Sequence, residues 1–132
     1  MIELMIVMIV VSILIAVSYP GYQNQMRQNR RSDGQKLLLE IMHEQQNFYS
    51  KNSTYTTNLV AGGILGLSYP DPNGDGSVLS DKEFYLVTAT VCDVPTPIAD
   101  CVLLAAAPQR GQASDGDLTY NSRNVKTPAT HW

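Results

Sequence analysis

Residues 1–23 read MIELMIVMIVVSILIAVSYPGYQ. From Met1 to Tyr22 the only charged side chain is Glu3, and all nine Lys and Arg lie further on. The run 1–17 is at the lower end of what spans a bilayer, about 17–25 residues. A secretory signal peptide is the competing reading, but that needs a positive region in front and a small-x-small cleavage site behind. Neither is present, and the segment runs on into Tyr19-Pro20-Gly21-Tyr22. Residues 1–24 are therefore expected to be a retained membrane anchor and the first half of a longer helix.

Glu3 is the anomaly of this segment. A carboxylate in apolar surroundings costs on the order of several kcal/mol unless it is paired or protonated. One reading places it at the membrane edge. The other requires a cation from elsewhere, since the head has no Lys or Arg. A free amine at Met1, on this chain or on a neighbour, would serve, and Glu3 would then set the register of identical helices packed side by side. Pro20 and Gly21 follow. Proline inside a helix costs ~3 kcal/mol and glycine roughly 1 kcal/mol, so a kink or a locally melted stretch is expected there.

From Gln23 to about Asn52 there is no proline. Leu38, Ile41, Met42, Gln45, Phe48 and Tyr49 recur at spacings of three and four, one face of a helix. Lys36, Glu40 and Glu44 fall on an exposed side as i,i+4 neighbours. Arg27, Arg30 and Arg31 read as a solvated or inter-subunit salt-bridging face, or as a site for phosphate or lipid headgroups. A helix of about 50 residues is roughly 75 Å long. No compact domain of a 132-residue chain encloses that, so its first half must be buried in lipid or against other copies.

Met1-Ile2-Glu3-Leu4-Met5-Ile6-Val7, then Ala16 and Tyr19-Pro20-Gly21-Tyr22-Gln23, resembles the start of mature type IV pilins. Glu44-Gln45-Gln46-Asn47-Phe48-Tyr49 with Tyr55-Thr56 resembles the end of the same family's helix and its first turn. Leu118-Thr119-Tyr120-Asn121-Ser122 and Trp132 resemble its last strand and tail. The resemblance implies an α+β fold with a long N-terminal helix whose C-terminal half packs on a small antiparallel sheet. It also implies a leader removed by prepilin peptidase, a methylated amine, anchorage in the inner membrane, and handling by pilus assembly machinery. The final state is then a homo-oligomeric extracellular filament. In that frame Glu3 is the family's glutamate that pairs with a neighbour's amine. The family places four residues before it, beginning with Phe, whereas here there are two, Met1 and Ile2. Two residues are expected to be missing from the mature start, or the start itself differs.

The body is expected to comprise residues 25–132: helix 25–52, connecting loop 53–83, and sheet with tail 84–132. Asp71, Asn73, Asp75, Ser77 and Asp81 place oxygens along a segment that opens like a calcium loop, with Gly76 at its sixth position. The closing position holds Lys82, and Glu83 is one residue late. A turn-rich surface loop is the alternative, so calcium is the one cofactor to consider. Phe84–Val91, Cys101–Ala107 and Leu118–Asn121 read as strands. Cys92 and Cys101 sit in neither a CxxC nor a Cys/His cluster, so no zinc site is expected of them. They are either free thiols or, outside the cytoplasm, a disulfide worth roughly 2–3 kcal/mol.

No nucleophile motif, Walker sequence or dinucleotide-binding glycine pattern occurs, and His43 and His131 are isolated. No enzyme is expected. With a net charge of −3, no nucleic-acid site is evident either. The alternatives to a pilus subunit are a pseudopilin of a type II secretion system and a membrane-anchored calcium-binding or adhesive module.

Overall fold

One helix, α1, runs unbroken from Ile2 to Asn52. The computed structural model describes residues 2–132, so Met1 lies outside the described residues. Of the kink or melted stretch expected at Pro20-Gly21, melting does not occur: helix continues through both residues. A proline withholds its own N–H and its ring crowds the carbonyl four residues back, but the hydrogen bonds on either side keep the helix continuous. Every described residue up to Gln25 is exposed, so the first half of α1 adds nothing to the core.

The second half differs. Leu38, Ile41, Met42, Gln45 and Phe48 are buried as their spacing predicts, and the buried face begins one turn earlier, at Asp33 and Gly34. Tyr49 departs from the expected stripe. It is exposed and lies against Tyr55, with ring centroids 4.6 Å apart. Gln45 is fully buried, where an unpaired amide would cost about 1–3 kcal/mol. Its side chain answers this by donating to the Thr56 carbonyl at 2.6 Å and accepting from the Thr56 N–H at 3.1 Å. That double bond fixes the chain as it leaves the helix.

Five strands follow: β1 (Val78–Leu79), β2 (Tyr85–Val91), β3 (Val102–Pro108), β4 (Leu118–Asn121) and β5 (Lys126–Thr127). They form one antiparallel sheet in sequential order. β2 and β3 pair along their whole length, from Tyr85↔Pro108 to Val91↔Val102. Tyr85 and Val87 of β2, Val102, Leu104 and Ala106 of β3, and Leu118 of β4 face α1, where they meet Leu38, Ile41 and Met42. The expected loop 53–83 is interrupted at its end by β1. Val78 is buried there and pairs with Val87.

The helix can approach the sheet because residue 34 has no side chain. A Cβ at Gly34 would stand 2.7 Å from Cγ of the fully buried Tyr85 ring. In the fragment 25–132, Gly34→Ala gains about 1 kcal/mol of helix propensity. Overpacking costs about 1–3 kcal/mol, and the ring has no free side to move to. We expect a net loss of about 1 kcal/mol, seen in urea unfolding as a lower midpoint at an unchanged slope. An unchanged or raised midpoint would show that the ring yields.

Candidate functional site

The large apolar side chains from Ile2 to Val17 are 45–75% exposed. They form a continuous sleeve around the helix and not a stripe, which is the pattern of a segment surrounded by apolar matter on every side. The helix is long and apolar enough to cross a membrane. Glu3 lies exposed in its first turn, where the helix dipole favours a carboxylate. Met1, the expected source of the pairing amine, is outside the described residues. Pro20 and Gly21 are exposed within α1, and a side chain at Gly21 would meet nothing within 4 Å.

Just past the sleeve, Arg30 and Arg31 are engaged within the subunit, while Arg27 is exposed. Arg31 reaches across to Asp115, 84 residues away, donating from Nε to Oδ2 at 2.7 Å and from Nη2 to Oδ1. Asp115 also accepts from the Tyr85 hydroxyl at 3.2 Å and from Nε2 of the buried Gln112 at 3.1 Å. Gln112 donates further to the Arg27 carbonyl at 3.2 Å. The Arg30 guanidinium lies 4.5 Å from the Phe84 ring centroid. Together these contacts clasp the 3-10 segment Arg110–Asp115 to α1 where the exposed half meets the packed half. Sequence reasoning missed Asp115, Gln112 and Tyr85 as partners, because no local pattern joins positions so far apart.

Of the oxygens expected to hold calcium, those of Asp71, Asp75 and Asp81 have hydrogen-bond partners within the chain. Asp71 accepts from the backbone N–H groups of Gly74 and Gly76, at 2.6 and 2.9 Å. Asp75 accepts from the Ser77 N–H at 3.0 Å and from its hydroxyl, and these bonds hold its carboxyl below the usual range. Asp81 pairs with Lys36 of α1 at 3.0 Å. Asn73 lies exposed in the turn, and Ser77 is buried where the chain enters β1. Among the described residues no three His, Cys, Asp or Glu side chains are gathered as metal ligands. The segment is built as a side-chain-capped turn.

Cys92 and Cys101 are joined, with Cα atoms 5.6 Å apart, and close the loop between β2 and β3. His43 is exposed. Nδ1 of His131 is buried without a partner, while the His131 carbonyl accepts from Gln35 of α1.

A family model described as "Type IV minor pilin ComP, DNA uptake sequence receptor" matches residues 20–119. The chain belongs to the type IV minor pilins. The fold of this pilin is also that of a solved type IV pilin from Shewanella oneidensis. The two are 24% identical with a TM-score of 0.54, over 80% of this chain and 97% of that one. Comparison with curated proteins yields no match. The protein is thus a structural subunit and not an enzyme, held in the membrane by its apolar helix and then part of a pilus.

The Arg31 pair makes the pilin body sensitive to acid. Hydrogen bonding from Arg31 is the main cause that holds the Asp115 carboxyl below the usual range. Because the folded value is depressed, the pair's contribution is complete above the unfolded value, about 3.9. It is lost as pH falls through the folded value. We expect Asp115→Asn to lower the stability of fragment 25–132 by about 2 kcal/mol at neutral pH. The gap to the parent should close as pH drops below about 4. A gap that stays constant through that range would remove the ion pair from the account.

Proposed function

We propose that this pilin is a minor subunit that enters the pilus through residues 1–24 and carries a DNA-binding body into the filament. The sleeve of exposed apolar residues around Glu3 supports the first half of this reading. Inside a bundle of such helices a lone carboxylate is too costly to leave unpaired. The amine of a neighbouring copy satisfies it without introducing another side chain. Glu3 then selects one axial offset between neighbours, because any other leaves two unpaired charges in apolar surroundings. Processing by prepilin peptidase and insertion by assembly machinery belong to the same proposal.

DNA binding is supported by the description of the family whose model the chain matches. The net charge of −3 is no obstacle, because a phosphate backbone senses the local distribution of charge and not the sum.

Glu3→Ala should abolish incorporation into filaments. The body, which takes no packing from the head, should keep its fold and its disulfide. Immunogold labelling of sheared pili, together with thermal melting of the extracted protein, would read both. Normal incorporation of the variant would refute the pairing mechanism.

A further inference from the structure

We infer that the C-terminal hairpin, β4 and β5 with the tail to Trp132, is the surface through which the body holds the phosphate backbone of DNA. This rests on the DNA-binding reading above and assigns it a place. Residues 118–132 contain Arg123, Lys126 and His131 and no Asp or Glu, in a chain that is acidic overall. The nearest preceding carboxylates are Asp115 and Asp117, and Asp115 is neutralised by Arg31.

The geometry adds to the charge. The Lys126 ammonium lies 4.8 Å from the Trp132 ring centroid and 5.2 Å from that of Tyr120. Both rings are anchored. Tyr120 donates to Asn124 at 3.1 Å, and the Trp132 indole donates to the Thr127 carbonyl at 3.3 Å. A free lysine loses much rotamer freedom when it grips a phosphate. Cation–π contacts to two fixed rings remove part of that loss in advance, which is how preorganisation raises affinity. Arg123 stands exposed in the turn, where Asn121 accepts from the N–H groups of residues 123 and 125. The turn is also fixed from behind. Ser122 donates to Cys101 Sγ at 3.4 Å and exchanges hydrogen bonds with Val102. Two cations, one on a tight turn and one over an aromatic pair, are thus presented on short, rigid elements. Asp93 and Asp100 in the disulfide loop would repel phosphate, so the footprint runs from Arg123 toward Lys126 and Trp132.

The test uses the full chain in a non-ionic detergent and a short fluorescein-labelled DNA duplex of mixed sequence, followed by anisotropy over a range of salt. The double substitution Arg123→Gln/Lys126→Gln should weaken binding about tenfold and flatten the log–log salt dependence by about two. Trp132→Leu should weaken binding severalfold and leave the salt slope in place, since the charge remains but is no longer held. Lys126→Arg should retain the slope, and Lys51→Gln, at the end of α1, should change nothing. Unchanged thermal melting in each variant separates these effects from misfolding. If the parent binds and the double variant binds equally, the hairpin assignment falls while DNA binding itself stands. If the parent binds no DNA, the functional reading fails and the inference with it.

Discussion

A helix of 51 residues is about 75 Å long, and the remaining residues make a sheet that covers little more than its last third. Everything else in the molecule follows from that mismatch. The covered part is amphipathic and takes its burial from Tyr85, Val87, Leu104 and Leu118. The uncovered part is apolar on all sides from Ile2 to Val17 and has no burial there within the monomer. Water is therefore the wrong solvent for the first part of this helix. Lipid before assembly, and other pilins afterwards, are the two media that complete it.

The junction between these halves carries its own reinforcement. Gly34 brings the helix down onto the Tyr85 ring. One turn earlier Arg31 reaches across to Asp115, which Tyr85 and Gln112 also bind. The same tyrosine thus takes part in both contacts, its ring under the glycine and its hydroxyl on the carboxylate. A helix held in this way passes load from its free end into the sheet through packed side chains and a charge-assisted bond, and not through a loop.

Much of this was legible in the sequence. The spacing of Leu38, Ile41, Met42, Gln45 and Phe48 gave the buried face, because period 3.6 survives whatever the partner is. The strand Leu118–Asn121 was found to the residue, and β2 and β3 to within one residue at each end. β1 and β5 escaped because two residues are too few to show alternation. Asp, Asn and Gly serve backbone turns with the same spacing that suits a calcium ion, so the sequence leaves both readings of residues 71–81 open, and the structure adds the hydrogen bonds by which Asp71 and Asp75 hold the turn. Tyr49 was assigned to the core by its spacing, but the sheet does not extend that far along the helix. The Arg31–Asp115 pair is not legible because its two residues are distant in sequence, and a net charge that averages an acidic body with a basic tail says nothing of where the cations lie.

The disulfide closes a loop of eight residues, Asp93 to Asp100, whose two ends are fixed again by the pairing of Val91 with Val102. Between the sulfurs, Ile98 packs against the core, whereas Asp93, Val94 and Pro95 are exposed. Lengthening a closed loop costs only about 0.6 kcal/mol per doubling, and β2 and β3 keep their register whatever the loop contains. The exposed stretch 93–95 is thus free to vary in sequence, or to accept an epitope or affinity tag. The pilin carries a ready-made port for foreign peptide display.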